Sequence, residues 1–190
     1  MHAHFDDARR TAAEDLGALA EAIFELDVPV EPPEAHEEYL QALDAFKTAE
    51  GKLDAANHQE DLAAVTASIG EGLYRMGCVL ALREGKPIPK RLPPCLFDPR
   101  HGPAIELIVW TPVGGDPRTV PSCARDADLL ERDLQPSPRM VIVHHREVPF
   151  WDTGREFAGW FSGYFAPADV CDPAKILQGL PLGEALRESR

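Results

Sequence analysis

The run GKPIPKRLPP at residues 85–94 separates two halves of this 190-residue chain that differ in composition. Gly85 is typical of the residue that follows a helix, and the prolines after it cannot continue one. The first half is rich in Ala, Leu and Glu, which favour helices, whereas 13 of the 18 prolines and all three tryptophans lie from residue 93 onward. The sequence therefore predicts an α+β protein, with a helical bundle over residues 1–86 and a small β-rich domain over residues 93–190.

Three amphipathic helices are predicted before residue 86. The first spans residues 6–26, the second spans residues 34–56, and the third follows a capping pair formed by Asn57 and Glu60. Apolar residues recur every three or four positions, which places them on one face of each helix. Short connections between such helices favour an antiparallel bundle; the alternative is a long helical hairpin that completes its core by dimerising.

The net charge narrows the classes of partner. The chain carries 32 acidic and 19 basic residues, for a net charge of −13 and a pI near 4.9. This balance argues against binding nucleic acid or anionic lipid over a broad surface, because both depend on dense Lys and Arg. No stretch reaches the ~20 apolar residues of a membrane span, and the first residues lack the basic and apolar regions of a secretory signal. We expect a soluble, cytoplasmic protein whose partner is another protein or a second copy of itself.

A candidate metal site lies in the second half. The turn CLFDPRHGP at residues 95–103 contains Cys95 and His101, a predicted β-hairpin follows it, and Cys123 then stands at the start of a predicted helix. Asp126 lies three residues after Cys123 and therefore shares its face of that helix. A turn, a hairpin and a helix in this order are typical of a treble-clef zinc site. Since structural Zn²⁺ takes four ligands in a tetrahedron, the prediction is a zinc ion held by Cys95, His101, Cys123 and Asp126.

Three alternatives stay open for these residues. His144 or His145, predicted at the end of a later strand, could replace Asp126 as the fourth ligand. Cys95 and Cys123 could instead be small buried hydrophobic residues, or they could form a redox pair. Four cysteines in a cytosolic chain favour buried thiols or metal ligands over disulfides.

Seven aromatic residues lie between Phe150 and Phe165. Core filling is the first interpretation, because aromatic side chains bury a large area in a domain with little regular structure. The alternative is an exposed aromatic groove for a peptide, a sugar or a partner helix. Changing Trp160 separates the two, since loss of a core residue unfolds the protein whereas loss of a surface residue removes only a partner.

Three motifs in the second half resemble a segment that recurs in uncharacterised bacterial proteins. The motifs are C-x-F-D-P-x-H-G-P from Cys95, W-x-P-x-G-G from Trp110 and V-P-x-C-A from Val120. In those proteins the segment often follows a helical region and precedes an aromatic G-Y-F stretch, which stands here at residues 163–165. Some of them carry a second cysteine at the place of Asp126, which gives a C-x-x-C pair. No activity is known for the group, so the resemblance implies one coherent domain over about residues 95–165 and no mechanism.

The chain contains no motif of a nucleotide-binding loop, a serine-hydrolase elbow or a zinc protease. We therefore predict a non-catalytic protein-interaction or adaptor protein, with the helices and the aromatic residues as contact faces and zinc as a structural ion. Two alternatives remain. One is a metal-dependent, nuclease-like hydrolase that uses Cys95, His101 and Cys123 with a histidine base, and the other is a subunit of an oligomeric assembly. A metal ligated only by protein would favour the adaptor, and an open coordination position would favour the hydrolase.

Overall fold

The computed structural model describes residues 2–26, 30–112 and 115–165, with side chains from Phe5 onward. Three long helices come first: α1 (His2–Phe24), α2 (Pro33–Ala55) and α3 (Asp61–Arg83). They are followed by the strands β1 (Glu106–Trp110) and β2 (Arg118–Ser122), the helix α4 (Ala124–Glu131), the strands β3 (Met140–Val143) and β4 (Arg146–Pro149), and the helix α5 (Ala158–Phe165). β1 pairs with β2 and β3 with β4, both antiparallel, so the predicted combination of helix and sheet is confirmed. The part of the predicted 93–190 domain from residue 166 onward lies outside the described residues. No described helix is long and apolar enough to cross a membrane.

The three long helices pack together, and α2 and α3 run in opposite directions. Lys52, near the end of α2, donates a hydrogen bond of 2.9 Å to Ser68 of α3. Glu38, near the start of α2, pairs with Arg75 further along α3 at 2.9 Å. The buried face of α2 carries small residues that let α3 approach closely: Ala35, Ala42, Ala45 and Ala49.

The start of α3 differs from the prediction. Asn57 and Glu60 do not form a capping pair, because Glu60 is itself the N-cap residue and its side chain makes no cap hydrogen bond. The carboxylate of Asp61 instead accepts the backbone N–H groups of Asn57 and His58, both at 2.9 Å. These two bonds hold the pKa of Asp61 below its ordinary value. The side chain of the first residue of α3 therefore helps to fix the α2–α3 connection, together with the Asn57 amide, which donates to the carbonyl of Ala55 at 2.7 Å.

The aromatic residues after β4 fill the core. Six of the seven are buried, at 5% exposure or less: Phe150, Phe157, Trp160, Phe161, Tyr164 and Phe165. The helix α5 carries most of them onto α3, and Gly163 permits the close approach because a Cβ atom there would collide with Thr66 and Ala63. The core-filling interpretation is confirmed. The alternative prediction of an exposed aromatic groove is wrong for these six residues. The prediction that they form a contact face is wrong as well.

Asp15 of α1 is a buried carboxylate that joins the two halves of the chain. Trp160 Nε1 and the Tyr164 hydroxyl donate to its Oδ2 at 2.8 and 3.0 Å, and Arg139 donates to its Oδ1 at 3.2 Å. Burial raises the pKa of Asp15 to about 6, although the Arg139 charge and the two hydrogen bonds oppose the rise. One hydrophobic cluster also contains residues from both sides of the run 85–94. The division into two domains stays a prediction.

Candidate metal centre

The loop at residues 95–102 brings two of the predicted ligands together. The backbone N–H of Cys95 donates to the carbonyl of Gly102 at 3.2 Å, so the two ends of the loop lie side by side. Inside the loop, the single 3₁₀ turn Pro99–His101 begins with proline and is capped by Asp98, whose side chain accepts a backbone N–H of the turn at 3.0 Å. Gly102 has a φ of 84°, which glycine adopts without steric cost. The chain therefore reverses direction and His101 returns toward Cys95.

The first hairpin delivers the other two predicted ligands. β1 and β2 pair antiparallel, as the sequence predicts. The N–H of Leu96 donates to the carbonyl of Pro121 at 2.9 Å, which ties the loop to the end of β2. Cys123 is then the N-cap residue of α4, and Asp126 lies in the first turn of that helix. Two backbone contacts thus bring together residues that are up to 31 positions apart.

The ligand atoms of Cys95, His101, Cys123 and Asp126 all lie within 4.8 Å of one another. Asp126 Oδ2 is 3.1 Å from Cys95 Sγ and 2.9 Å from His101 Nδ1. His101 Nδ1 is 3.7 Å from Cys123 Sγ. One atom of Asp126 and one atom of His101 therefore each face two other side chains, as expected around a common central point. We call these four residues the metal cluster; no other such group occurs among the residues that the structure describes.

This geometry differs from that of a catalytic cysteine–histidine site. Such a site uses both ring nitrogens, one toward the nucleophile and one toward the group that orients the ring. Here Nδ1 of His101 faces both Cys123 and Asp126. The two groups therefore share one ring nitrogen and do not lie on opposite sides of the ring, as they do in a catalytic triad.

Burial and mutual hydrogen bonding set the protonation of the metal cluster. Cys95, Cys123 and Asp126 are 0%, 8% and 2% exposed, whereas the His101 side chain is 27% exposed. Hydrogen bonding with Cys95 lowers the pKa of Cys123 to about 5; His101 acts in the same direction and burial opposes them. Hydrogen bonding with Cys123 raises the pKa of His101 to about 8, and the Asp126 charge also raises it against the effect of burial. Hydrogen bonding with Cys123, together with burial, raises the pKa of Cys95 well above its ordinary value.

The Cys95 thiol makes a buried polar contact. It lies at hydrogen-bond distance from Asp126 Oδ2, at 3.1 Å, and the Cys123 sulfur lies within 4.8 Å of it. The interpretations of Cys95 and Cys123 as small buried hydrophobic residues or as a redox pair stay predictions.

The described cysteines are all free thiols: Cys78, Cys95 and Cys123. Cys78 lies in α3, is 1% exposed and is not part of the metal cluster. Burial raises the pKa of its thiol. It therefore offers an internal comparison for the two cluster cysteines.

Asp98 and Arg100 brace the turn that carries His101. The Arg100 guanidinium donates to both oxygens of Asp98, at 2.6–3.2 Å. Burial would raise the pKa of Asp98, but these bonds hold it below its ordinary value. Residues behind metal ligands commonly fix the orientation of those ligands in this way.

His144 and His145 do not stand at a strand end, as the sequence predicted. They form the two-residue turn between β3 and β4, with φ values of 51° and 63°, which are typical of a type I′ hairpin turn. The backbone N–H of His144 donates to Asp7 of α1 at 3.1 Å. The group of atoms within 4.8 Å contains Asp126 and neither histidine. The geometry therefore favours Asp126 as the fourth donor.

Sequence reasoning missed a cavity beside the metal cluster. The cavity has a volume of about 370 Å³, and His101 and Asp126 form part of its lining together with three arginines, Arg100, Arg125 and Arg139. Arg139 follows α4 and a connecting segment, and no local pattern links it to the other two. Only the tertiary structure could place the three side chains around one space.

Comparisons of the chain with protein-family models, with curated proteins and with solved structures found no match. The resemblance of the three motifs to a bacterial segment stays a prediction. The function has to be argued from the metal cluster and its surroundings.

Proposed function

We propose that the metal cluster binds one structural Zn²⁺ in a treble-clef-like frame, and that the protein is a non-catalytic interaction protein built on this centre. The observation that carries the proposal is the convergence of four donor atoms within 4.8 Å. Two sulfurs, one imidazole nitrogen and one carboxylate oxygen form a donor set that suits Zn²⁺ among the biological cations. The loop supplies two donors and the start of α4 supplies the other two, which is the treble-clef order.

The spacing of the donors is close to that of tetrahedral coordination. With Zn–S near ~2.3 Å and Zn–N or Zn–O near ~2.0 Å, neighbouring donors in a tetrahedron lie roughly 3.3–3.8 Å apart. Three of the six pairs within the cluster are separated by 2.9, 3.1 and 3.7 Å, and the other three pairs lie within 4.8 Å. Small side-chain movements would therefore admit the ion, and the metal would replace the Cys95 proton that now faces Asp126.

The outer face of β1 is the surface that best fits an interaction role. Ile105, just before the strand, and Leu107 and Val109 within it are 50%, 38% and 69% exposed. Alternate residues of a strand point the same way, so these side chains form one apolar stripe. This stripe replaces the buried aromatic residues as the candidate contact face for a protein partner. Self-association stays a prediction, which light scattering over a concentration series tests.

Metal analysis of the purified, reduced protein tests the zinc centre. We expect one equivalent of zinc per chain, lost in Cys95→Ala and in Cys123→Ser. Cys78→Ser is the matched control, because Cys78 is also a buried free thiol but is not part of the cluster; this variant should retain the metal. A metal-free protein that is stably folded would overturn the proposal.

One observation favours the second candidate, a metal-dependent hydrolase. The cavity of about 370 Å³ borders His101 and Asp126, and an open coordination position there would face it, as a hydrolase requires. Replacing zinc with Co²⁺ separates the candidates through the visible spectrum. A tetrahedral thiolate spectrum that added azide leaves unchanged supports four protein ligands, whereas a spectrum that azide alters supports the hydrolase.

A further inference from the structure

Five of the eleven residues that line the cavity beside the metal cluster carry side-chain hydrogen-bond donors. Arg100, Arg125 and Arg139 contribute guanidinium groups, Ser137 contributes a hydroxyl and His101 contributes its ring. When Nδ1 of His101 ligates a metal, the ring proton resides on Nε2, so the ring is then a donor as well. Three carboxylates line the same cavity, those of Asp98, Asp126 and Glu147, so the arginines bind an anion only where these carboxylates are already engaged or screened.

Internal contacts occupy the first two arginines to different degrees. Arg100 directs Nε and Nη2 at Asp98, which leaves its Nη1 without a partner within the described part of the chain. Arg125 is exposed in the first turn of α4 and makes no ion pair with any described residue. Arg125 is therefore the cation most available to a ligand.

Arg139 holds a buried donor that has no acceptor. This residue is 7% exposed, and its Nη2 donates to Glu14 at 2.7 Å and to Asp15 at 3.2 Å. Its Nε is buried and has no hydrogen-bond partner, and no other buried side-chain nitrogen or oxygen among the described residues is left in this state. Native proteins pair nearly all such groups, because an unpaired one is costly. A ligand oxygen held in the cavity would accept a hydrogen bond from Arg139 Nε once the Arg139 side chain moves toward it.

The buried carboxylates at the cavity are already engaged elsewhere. Both oxygens of Asp98 accept hydrogen bonds from Arg100, and Asp126 Oδ2 faces the metal cluster. Their side chains are 9% and 3% exposed. Glu147 is an exposed carboxylate of the lining, and water and salt screen its charge. The groups left to bind a ligand are therefore mostly donors, which require acceptor oxygens.

We propose that this cavity binds a small organic molecule through a phosphate or carboxylate group, with Arg125 as the main charged contact. The volume of about 370 Å³ falls in the range of small-molecule sites. Planar guanidinium groups bind both kinds of oxyanion with paired, charge-assisted hydrogen bonds. The proposal goes beyond the zinc centre and does not require that a metal be bound.

Titration of the full chain with inorganic phosphate and, separately, with acetate tests the proposal. Backbone amide NMR at constant ionic strength should show saturable shifts at Arg125 and Ser137 with at least one probe, and the tighter probe identifies the ligand class. Arg125→Gln should weaken this binding by roughly tenfold or more, because a charge-assisted contact is lost. Arg132→Gln is the matched control. Arg132 is an exposed residue at the C-terminal end of α4; it pairs with Asp128 and does not line the cavity.

The absence of saturable shifts with both probes would overturn the proposal, as would equal binding by Arg125→Gln and Arg132→Gln. Zinc content is measured on the same samples, so the two proposals fail separately. Zinc without anion binding overturns the cavity proposal alone. Anion binding without zinc overturns the zinc proposal alone.

Discussion

The three long helices and the segment at residues 95–131 are stabilised in different ways. The helices bury apolar stripes that repeat with the period of the helix, and polar contacts such as Glu38–Arg75 join their more exposed faces. The second segment has one two-stranded sheet and one eight-residue helix, and a two-stranded hairpin is marginally stable by itself. Four polar side chains converge where its loop meets its helix. The helices therefore depend mainly on their core. The second segment adds residues such as Phe97 and Trp110 to that core, and we expect it to depend on the proposed metal centre as well.

Loss of the proposed zinc should separate the two regions most strongly. In protein shown to contain zinc, chelation or Cys95→Ala should lower hydrogen-exchange protection across residues 95–131 by several kcal/mol, since binding of structural Zn²⁺ contributes on the order of 10 kcal/mol. Protection in α2 and α3 should fall much less. An equal loss in both regions would mean that they unfold as one unit, which would contradict the inference that they are stabilised in different ways.

Trp160→Ala should destabilise the protein by roughly 3–5 kcal/mol, measured by urea unfolding. Trp160 is fully buried, donates to Asp15 at 2.8 Å and packs on Phe150 and Tyr164, so the change leaves a void and removes one of the hydrogen bonds to the buried Asp15 carboxylate. Val109→Ala is the control, because Val109 is 69% exposed and should cost less than about 0.5 kcal/mol. A Trp160→Ala protein of unchanged stability would show that α5 is not part of the core.

Asp15→Asn should remove a pH dependence of the free energy of unfolding, which arises from the buried Asp15 carboxylate of α1 and its contacts with α5. The pKa of Asp15 is about 6 in the folded protein against an ordinary 3.8, so folding strengthens proton binding. The resulting stabilisation is complete below about pH 4 and is lost as the pH rises through about 6. At about 1.4 kcal/mol per pH unit this amounts to about 3 kcal/mol. Chemical unfolding at several pH values should therefore show wild type losing this much relative to Asp15→Asn between about pH 4 and 7, and a constant difference would contradict the assignment.

Two glycine substitutions should have opposite signs. Gly163→Ala places a Cβ against Thr66 and Ala63 of α3 and should destabilise the protein by roughly 1–3 kcal/mol. Gly17→Ala in α1 meets no atom within 4 Å and should stabilise its helix by up to about 1 kcal/mol. Thermal unfolding of both variants checks this. Destabilisation by both changes would argue against close packing of α5 on α3 as the cause.

Local patterns predicted much of the fold. The helical period located α1, α2 and α3, and turn residues on either side of β1 and β2 located the first hairpin. The prediction that His144 and His145 end a strand was wrong, because they form a turn at positive φ and a His-His pair lacks the Asn-Gly pattern typical of such turns. The cap of α3 was also assigned to the wrong residues, since Asp61 accepts bonds from the chain before it.

The amino-acid sequence by itself determined the order of turn, hairpin and helix, and with it the choice of Cys95, His101, Cys123 and Asp126. These features follow from periodicity and turn chemistry, which act between residues close along the chain. Only the tertiary structure decided that the four donor atoms lie within 4.8 Å and that Arg139 lies beside both a buried carboxylate and a cavity. Contacts between distant segments depend on how whole elements pack, and no local pattern encodes that packing.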